Sequence, residues 1–133
     1  MSNQISIHLN QIAPTTTEAT IRNHKILIDR PEAKGGTNQG PMGGELLLAA
    51  LGGCFLSNLY AAIIAREATI SNVTVDVAGT MEANPSRFSA ISLNISGDYE
   101  DRDQMEKLVT IAERGCLVAN SIKDAIDLSF TIE

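Results

Sequence analysis

Two thiols carry the widest chemistry available to this sequence. Cys54 and Cys116 are its two cysteines, 62 positions apart in a chain of 133 residues. A cysteine acts as a nucleophile through its thiolate, which a peroxide oxidises to a sulfenic acid, and a second thiol can condense with that acid to a disulfide. The alternative is inert packing, since free cysteine is among the most buried residue types. A reactive thiol in apolar surroundings needs a fixed cation to oppose the rise in pKa that burial causes. Arginines stand at 22, 30, 66, 87, 102 and 114. Arg22 and Arg30 are the two that precede the glycine-rich segment leading to Cys54. Other chemistries find little support. His8 and His24 are isolated and show no metal-ligand spacing with the cysteines. The glycines form neither a nucleotide-binding loop nor a dinucleotide fingerprint.

The elements that must position these thiols follow from periodicity. Ile5, Ile7 and Leu9 alternate with polar residues, which predicts a half-buried strand over 4–11. Further strands are expected over 17–23 and 25–29, the last closed by Arg30-Pro31. Residues 31–44 hold five of the ten glycines and two of the four prolines, a loop with several special backbone conformations. Residues 45–67 lack proline and are rich in Leu and Ala, so they predict one long helix around Cys54. That helix is apolar around most of its circumference and must be covered on all sides. Its length approaches a membrane span, but Gly52, Gly53, Ser57 and Asn58 in its interior argue against one, and a second subunit is the favoured cover. The Gly52-Gly53 pair would let another backbone approach near Cys54. Alternation over 72–80 and 91–95 predicts a hairpin turning at 83–86. Asp101 is placed to cap a helix that Gly115 ends, with Cys116 at the break. A short helix over 118–124 and a strand over 128–132 complete an α+β order, βββ-α-ββ-α-α-β.

Composition bounds the rest. The formal net charge is −6, the wrong sign for neutralising phosphates, so no nucleic acid partner is expected. Near 130 residues, folding buries roughly two-thirds of the unfolded chain's surface, which supports a single domain over 1–133. The start of the sequence has neither a basic region nor an apolar run of a signal peptide, so a cytoplasmic location is expected, where a permanent disulfide is rare.

The segment GGTNQGPMGGELLLAALGGCFLSNL, followed some sixty residues later by AERGCLVANSIKDAI, closely resembles the OsmC/Ohr family of osmotically inducible and organic-hydroperoxide-resistance proteins. The resemblance covers nearly the whole chain and implies antiparallel sheets around a long central helix in an intertwined homodimer. It further implies that Cys54 is the peroxidatic cysteine and Cys116 the resolving one. A small thiol or a dithiol, lipoyl-type in some members, would reduce their disulfide, with no metal or organic cofactor. The family's site includes an arginine that stabilises the thiolate and a glutamate that orients the arginine. Glu45 matches the glutamate, and Arg22, with Arg30 as the second choice, matches the arginine. Glu45 also fits a plain first-turn acid favoured by the helix dipole, and Arg22 a solvated strand charge.

The reading is thus a thiol-dependent peroxidase acting on organic hydroperoxides, with Leu47, Leu51 and Phe55 expected to line an apolar approach to Cys54. The rival is a small-ligand binding or redox-sensing protein of the same fold. It is favoured by Gly44 standing where the family's peroxidases have their glutamate, one position before Glu45.

Overall fold

The computed structural model describes residues 2–133. Its chain forms two compact units, one running up to Leu47 and the other spanning Leu48–Glu133. The first unit contains three short strands, β1 (His8–Gln11), β2 (Thr17–Ile21) and β3 (His24–Ile28), in one antiparallel sheet of order β1-β2-β3. Ile21 pairs with His24, leaving Arg22 and Asn23 as a two-residue turn with Arg22 at φ 56°. β1 starts four residues later than the alternation suggests, for a reason of register. His8 lies opposite Thr20, so the residues before it face the end of β2 and find no strand to pair with. Ile5 is accordingly 88% exposed, and all four β1 residues are exposed rather than half-buried.

The glycine-rich segment follows, with a single 3-10 turn at Glu32–Lys34. It folds back tightly on β3. A Cβ at Gly36 would run into the Arg30 carbonyl, and one at Gly40 into the Leu27 carbonyl, so these two positions exclude any side chain. Helix α1 (Gly43–Ala65) then begins, 23 residues long, two residues ahead of the expected start at both ends.

The second unit pairs β4 (Ile70–Glu82) with β5 (Arg87–Tyr99) as the expected hairpin, and adds β6 (Asp127–Ile132) on the other side of β5. The expectation of purely antiparallel sheets is corrected here, because β5 and β6 run parallel. The two helices between them, α2 (Arg102–Arg114) and α3 (Leu117–Ile122), carry the chain back to the start of the sheet, as a parallel pair requires. Asp101 caps α2 as expected, its carboxylate accepting from the Gln104 N–H at 3.1 Å.

The core of this unit lies between one face of the sheet and the helices. Ile91, Leu93 and Ile95 of β5 meet Leu51, Phe55 and Leu59 of α1 and Met105, Leu108 and Ala112 of α2. Phe55 also meets Phe130 of β6 in a tilted contact, with ring centroids 5.3 Å apart. Gly52 packs closely here, since a Cβ there would stand 3.0 Å from Val77 Cγ2 and the valine would have to give way. The glycine pair therefore divides its work. Gly52 admits the β4 side chains, and Gly53 faces open space. By length and composition α1 resembles a membrane span, yet its inward face is part of this core. Its other flank stays uncovered in the protomer, with Ile64 75% exposed.

Candidate active site

The fold brings Cys54 and Cys116 together in the second unit. Cys54 sits mid-way along α1, half-buried, and Cys116 is fully buried in the core at the α2–α3 break. Both are free thiols. The junction is built for sulfur at its two ends. Cys116 is the N-cap of α3, its Sγ accepting from the Ala119 N–H at 3.5 Å, the capping role that Ser or Asp more often fills. The two preceding N–H groups, of Leu117 and Val118, have no partner inside α3 and lie beside the Cys54 sulfur, where they favour its thiolate.

These contacts drive the two thiols apart. Burial pushes the Cys54 thiol up, but the Val118 N–H, the Cys116 thiol and the Leu117 N–H together outweigh it, and its pKa falls below the ordinary thiol value. Burial pushes Cys116 up, and the adjacent Cys54 sulfur raises it further against the opposing Ala119 and Val118 N–H groups. The first proton lost from the pair thus leaves Cys54, and Cys116 keeps its own. Chemically this is a nucleophilic sulfur beside a second sulfur able to resolve its oxidation.

The other sequence-predicted residues lie in the first unit. Glu45 stands in the first turn of α1, and its Oε1 accepts from the Met42 N–H at 2.8 Å. This is the reach-back of a helix-capping glutamate. Arg22 occupies the exposed tip of the β2–β3 hairpin, and Arg30 follows β3. Neither pairs with Glu45. The ion pairs among the described residues are Lys25–Glu18 and Arg102–Glu106. Arg30 lines a cleft of about 460 Å³ with Asp29, Lys34 and the start of α1 at Gly43 and Gly44. The expected apolar approach is also corrected. Leu51 and Phe55 have no exposed surface and belong to the core between α1 and the sheet, so neither lines an entrance to Cys54.

Two contributors escaped the sequence reading. The Leu117 and Val118 N–H groups are backbone donors, invisible in residue type; only the placement of Cys116 at a helix start hints at them. Asp29 is the other. It is buried and accepts from the hydroxyls of Thr15, Thr16 and Thr37 and from the N–H groups of Arg30, Thr37 and Gln39, at 2.6–3.3 Å. The Thr37 hydroxyl above all, with the Arg30 and Gln39 N–H groups, holds its carboxyl well below the usual carboxylate range against the opposing effect of burial. One carboxylate thereby fastens the glycine-rich loop to the β1–β2 connection. An aspartate directly after an apolar strand, with threonines on both sides in sequence, was the available signal.

Comparison with known proteins completes the description. No curated protein matches the sequence. Among solved structures, an OsmC-like protein from Mycoplasma pneumoniae superposes with a TM-score of 0.86 at 17% identity, covering 100% of this chain and 98% of its own. The organic hydroperoxide resistance protein OhrB of Bacillus subtilis superposes with a TM-score of 0.69 at 17% identity over 98% of both chains. Another similar structure, of an organic hydroperoxide resistance protein from Elizabethkingia anophelis, gives a TM-score of 0.75 at 19% identity over 100% of this chain and 99% of its own. The family model described as OsmC-like protein matches residues 36–131, which include both cysteines, Glu45, the α1 helix and all of the second sheet but Ile132. The chain belongs to the OsmC-like protein family.

Proposed function

We propose that the protein is a thiol peroxidase that reduces organic hydroperoxides, with Cys54 as the attacking sulfur and Cys116 as the resolving one. The observation that carries this reading is the meeting of two free thiols at the start of α3, where Cys116 is the N-cap and the neighbouring N–H groups hold the Cys54 pKa below the ordinary thiol value. The Cys54 thiolate attacks the O–O bond. Sulfur takes the terminal oxygen as a sulfenic acid, losing two electrons, and the alkoxide leaves as an alcohol with one proton. The Cys116 thiol then displaces the hydroxyl as water and closes a disulfide, which an external dithiol, lipoyl or similar, reopens by exchange. The hydroperoxide-resistance proteins of similar fold support the substrate class. No metal or organic cofactor takes part in this scheme.

The working form in this reading is a cytoplasmic homodimer, supported by the apolar flank of α1 left uncovered in the protomer. Arg22, with Arg30 as the second choice, is the cation this reading assigns to the thiolate. A redox-sensing role is the second reading, and it is favoured by Glu45, which caps α1 through the Met42 N–H and has no arginine paired to it among the described residues. Consumption of cumene hydroperoxide with a dithiol reductant separates the two. Turnover that disappears in Cys54→Ser, and in Cys116→Ser leaves a trappable sulfenic acid, supports the peroxidase. No turnover from fully reduced wild type supports the sensor.

A further inference from the structure

The end of α2 shows where its terminal backbone groups go. The last four carbonyls of a helix lack partners inside it. Here Ile111 O and Glu113 O accept the N–H groups of Gly115 and Cys116, at 3.1 and 3.2 Å. The remaining two take side-chain amides. Asn58 Nδ2 of α1 donates to Ala112 O at 3.5 Å, and Asn120 Nδ2 of α3 donates to Arg114 O at 3.0 Å. The Asn120 N–H also donates to Cys116 O at 2.9 Å. So the carbonyls on either side of Glu113 are held from the two helices whose sulfurs must meet.

Asn58 stands one turn after Cys54 on the same face of α1. It is a half-buried amide inside a helix otherwise almost wholly apolar, where Leu or Ala would favour the helix more. Its neighbour across the contact is Gly115, where a Cβ would come 3.7 Å from Asn58 Nδ2. Gly115 itself has φ −90°, an ordinary helical value, so glycine is not needed there for its backbone angle. The contact is a place where α1 and the residue before Cys116 come close.

Resting on the redox reading of the cysteine pair, we propose that Asn58 is a positioning residue for disulfide formation, its amide tying the helix that carries Cys54 to the helix end that delivers Cys116, with Asn120 completing the clamp from α3. The step it serves joins two sulfurs at about 2.05 Å, which tolerates little error in the separation of the two backbones. Loss of the amide leaves the fold in place and lets the α2–α3 junction drift from α1.

The test needs no peroxide. Full-chain protein is equilibrated in mixtures of reduced and oxidised dithiothreitol, where the two protein thiols lose two electrons and two protons to the oxidised reagent, and the disulfide fraction is read by mass after alkylation. Asn58→Asp keeps the shape and removes the donor. It is expected to disfavour the disulfide at least tenfold, a shift of about 30 mV, with its melting temperature close to wild type and with Asn58→Gln recovering most of the loss. Wild type and Asn58→Asp titrating within twofold of each other overturns the proposal. If Asn58→Asp does not fold, Asn120→Ala, on the exposed side of α3, is expected to shift the same way, and an unchanged midpoint there overturns it equally. Wild type that forms a disulfide in this buffer but consumes no hydroperoxide overturns the peroxidase reading alone. Wild type that forms none overturns both.

Discussion

At the scale of single residues the two sulfurs are unequal, and the inequality is measurable. Alkylation of Cys54 by iodoacetamide follows its thiolate, so the rate stays high as pH falls through the ordinary thiol range and declines only below the lowered Cys54 value. Cys116 is expected to remain unmodified over the same range, being buried with its pKa raised. An alkylation midpoint for Cys54 at or above that of a free thiol would contradict the assigned hydrogen bonds. The donors themselves can be removed one at a time. Leu117 is the first residue of α3, where proline is well tolerated, and Cys116 before it already has the extended ψ of 112° that a following proline needs. Leu117→Pro deletes one N–H from Cys54 and is expected to slow alkylation at pH 6.5 by about threefold or more, with the melting temperature held. Asp29 has the opposite character, structural rather than reactive. Asp29→Asn puts an amide where five donor residues converge and is expected to lower the melting temperature by about 5 °C or more. Because the Asp29 carboxyl is depressed, its stabilisation is complete above the unfolded-state carboxylate pKa and is lost only as pH falls toward the folded value. Wild type should therefore show a steeper loss of stability in acid than Asp29→Asn does.

At the scale of elements the parallel strand β6 is the feature that most needs holding. It is an edge strand closing the chain, and Arg102 at the start of α2 latches it. The Arg102 guanidinium donates to Ile132 O at 3.2 Å and to Glu133 O at 3.5 Å, and Tyr99 Oη also donates to Glu133 O. Its Nε is shared with Glu106 at 3.1 Å, one turn along α2. A guanidinium is suited to this because its donors lie in a fixed plane and reach several acceptors together. Arg102→Ala is expected to speed hydrogen exchange of the last β6 amides several-fold while the β4–β5 amides keep their protection. Equal acceleration in both would mean the latch supports the sheet as a whole. The core beneath is more demanding. Phe55→Ala removes a fully buried ring packed against Phe130 and should cost about 3–5 kcal/mol.

At the scale of the whole molecule the uncovered flank of α1 sets the expectation. Ala49, Gly53, Ser57 and Ile64 lie exposed along a helix whose opposite side is core, a run of small and apolar residues suited to close helix contact. Sedimentation of the 14.2 kDa chain is expected to report a species near twice that mass. Gly53→Arg tests the surface that forms it. Beyond its own stretch of helix, no described residue comes within 4 Å of a Cβ built there, so the chain can fold around the arginine while the contact between copies cannot form. The expected result is a folded monomer; a dimer of unchanged stability would place the interface elsewhere.

Local rules in the sequence determined most of the element list. Period-two alternation marked the long hairpin, the glycine-rich loop and its two prolines marked the approach to α1, and Asp101 and Gly115 bracketed α2 within a residue. Both cysteines were legible as candidates because thiol chemistry depends on residue type. Their meeting was not, because 62 residues separate them and only the packing of α1 against α2 and α3 brings the sulfurs together. The direction of β6 was likewise decided by how α2 and α3 return the chain, which alternation within a strand does not encode. Glu45 shows the limit most clearly: its place nine residues before Cys54 is in the sequence, while its hydrogen bond to the Met42 N–H depends on where α1 starts. Periodicity and capping act through neighbours a few residues apart and can be read along the chain. Sulfur activation acts through whichever N–H groups the tertiary structure delivers, and here they are the two at the start of α3.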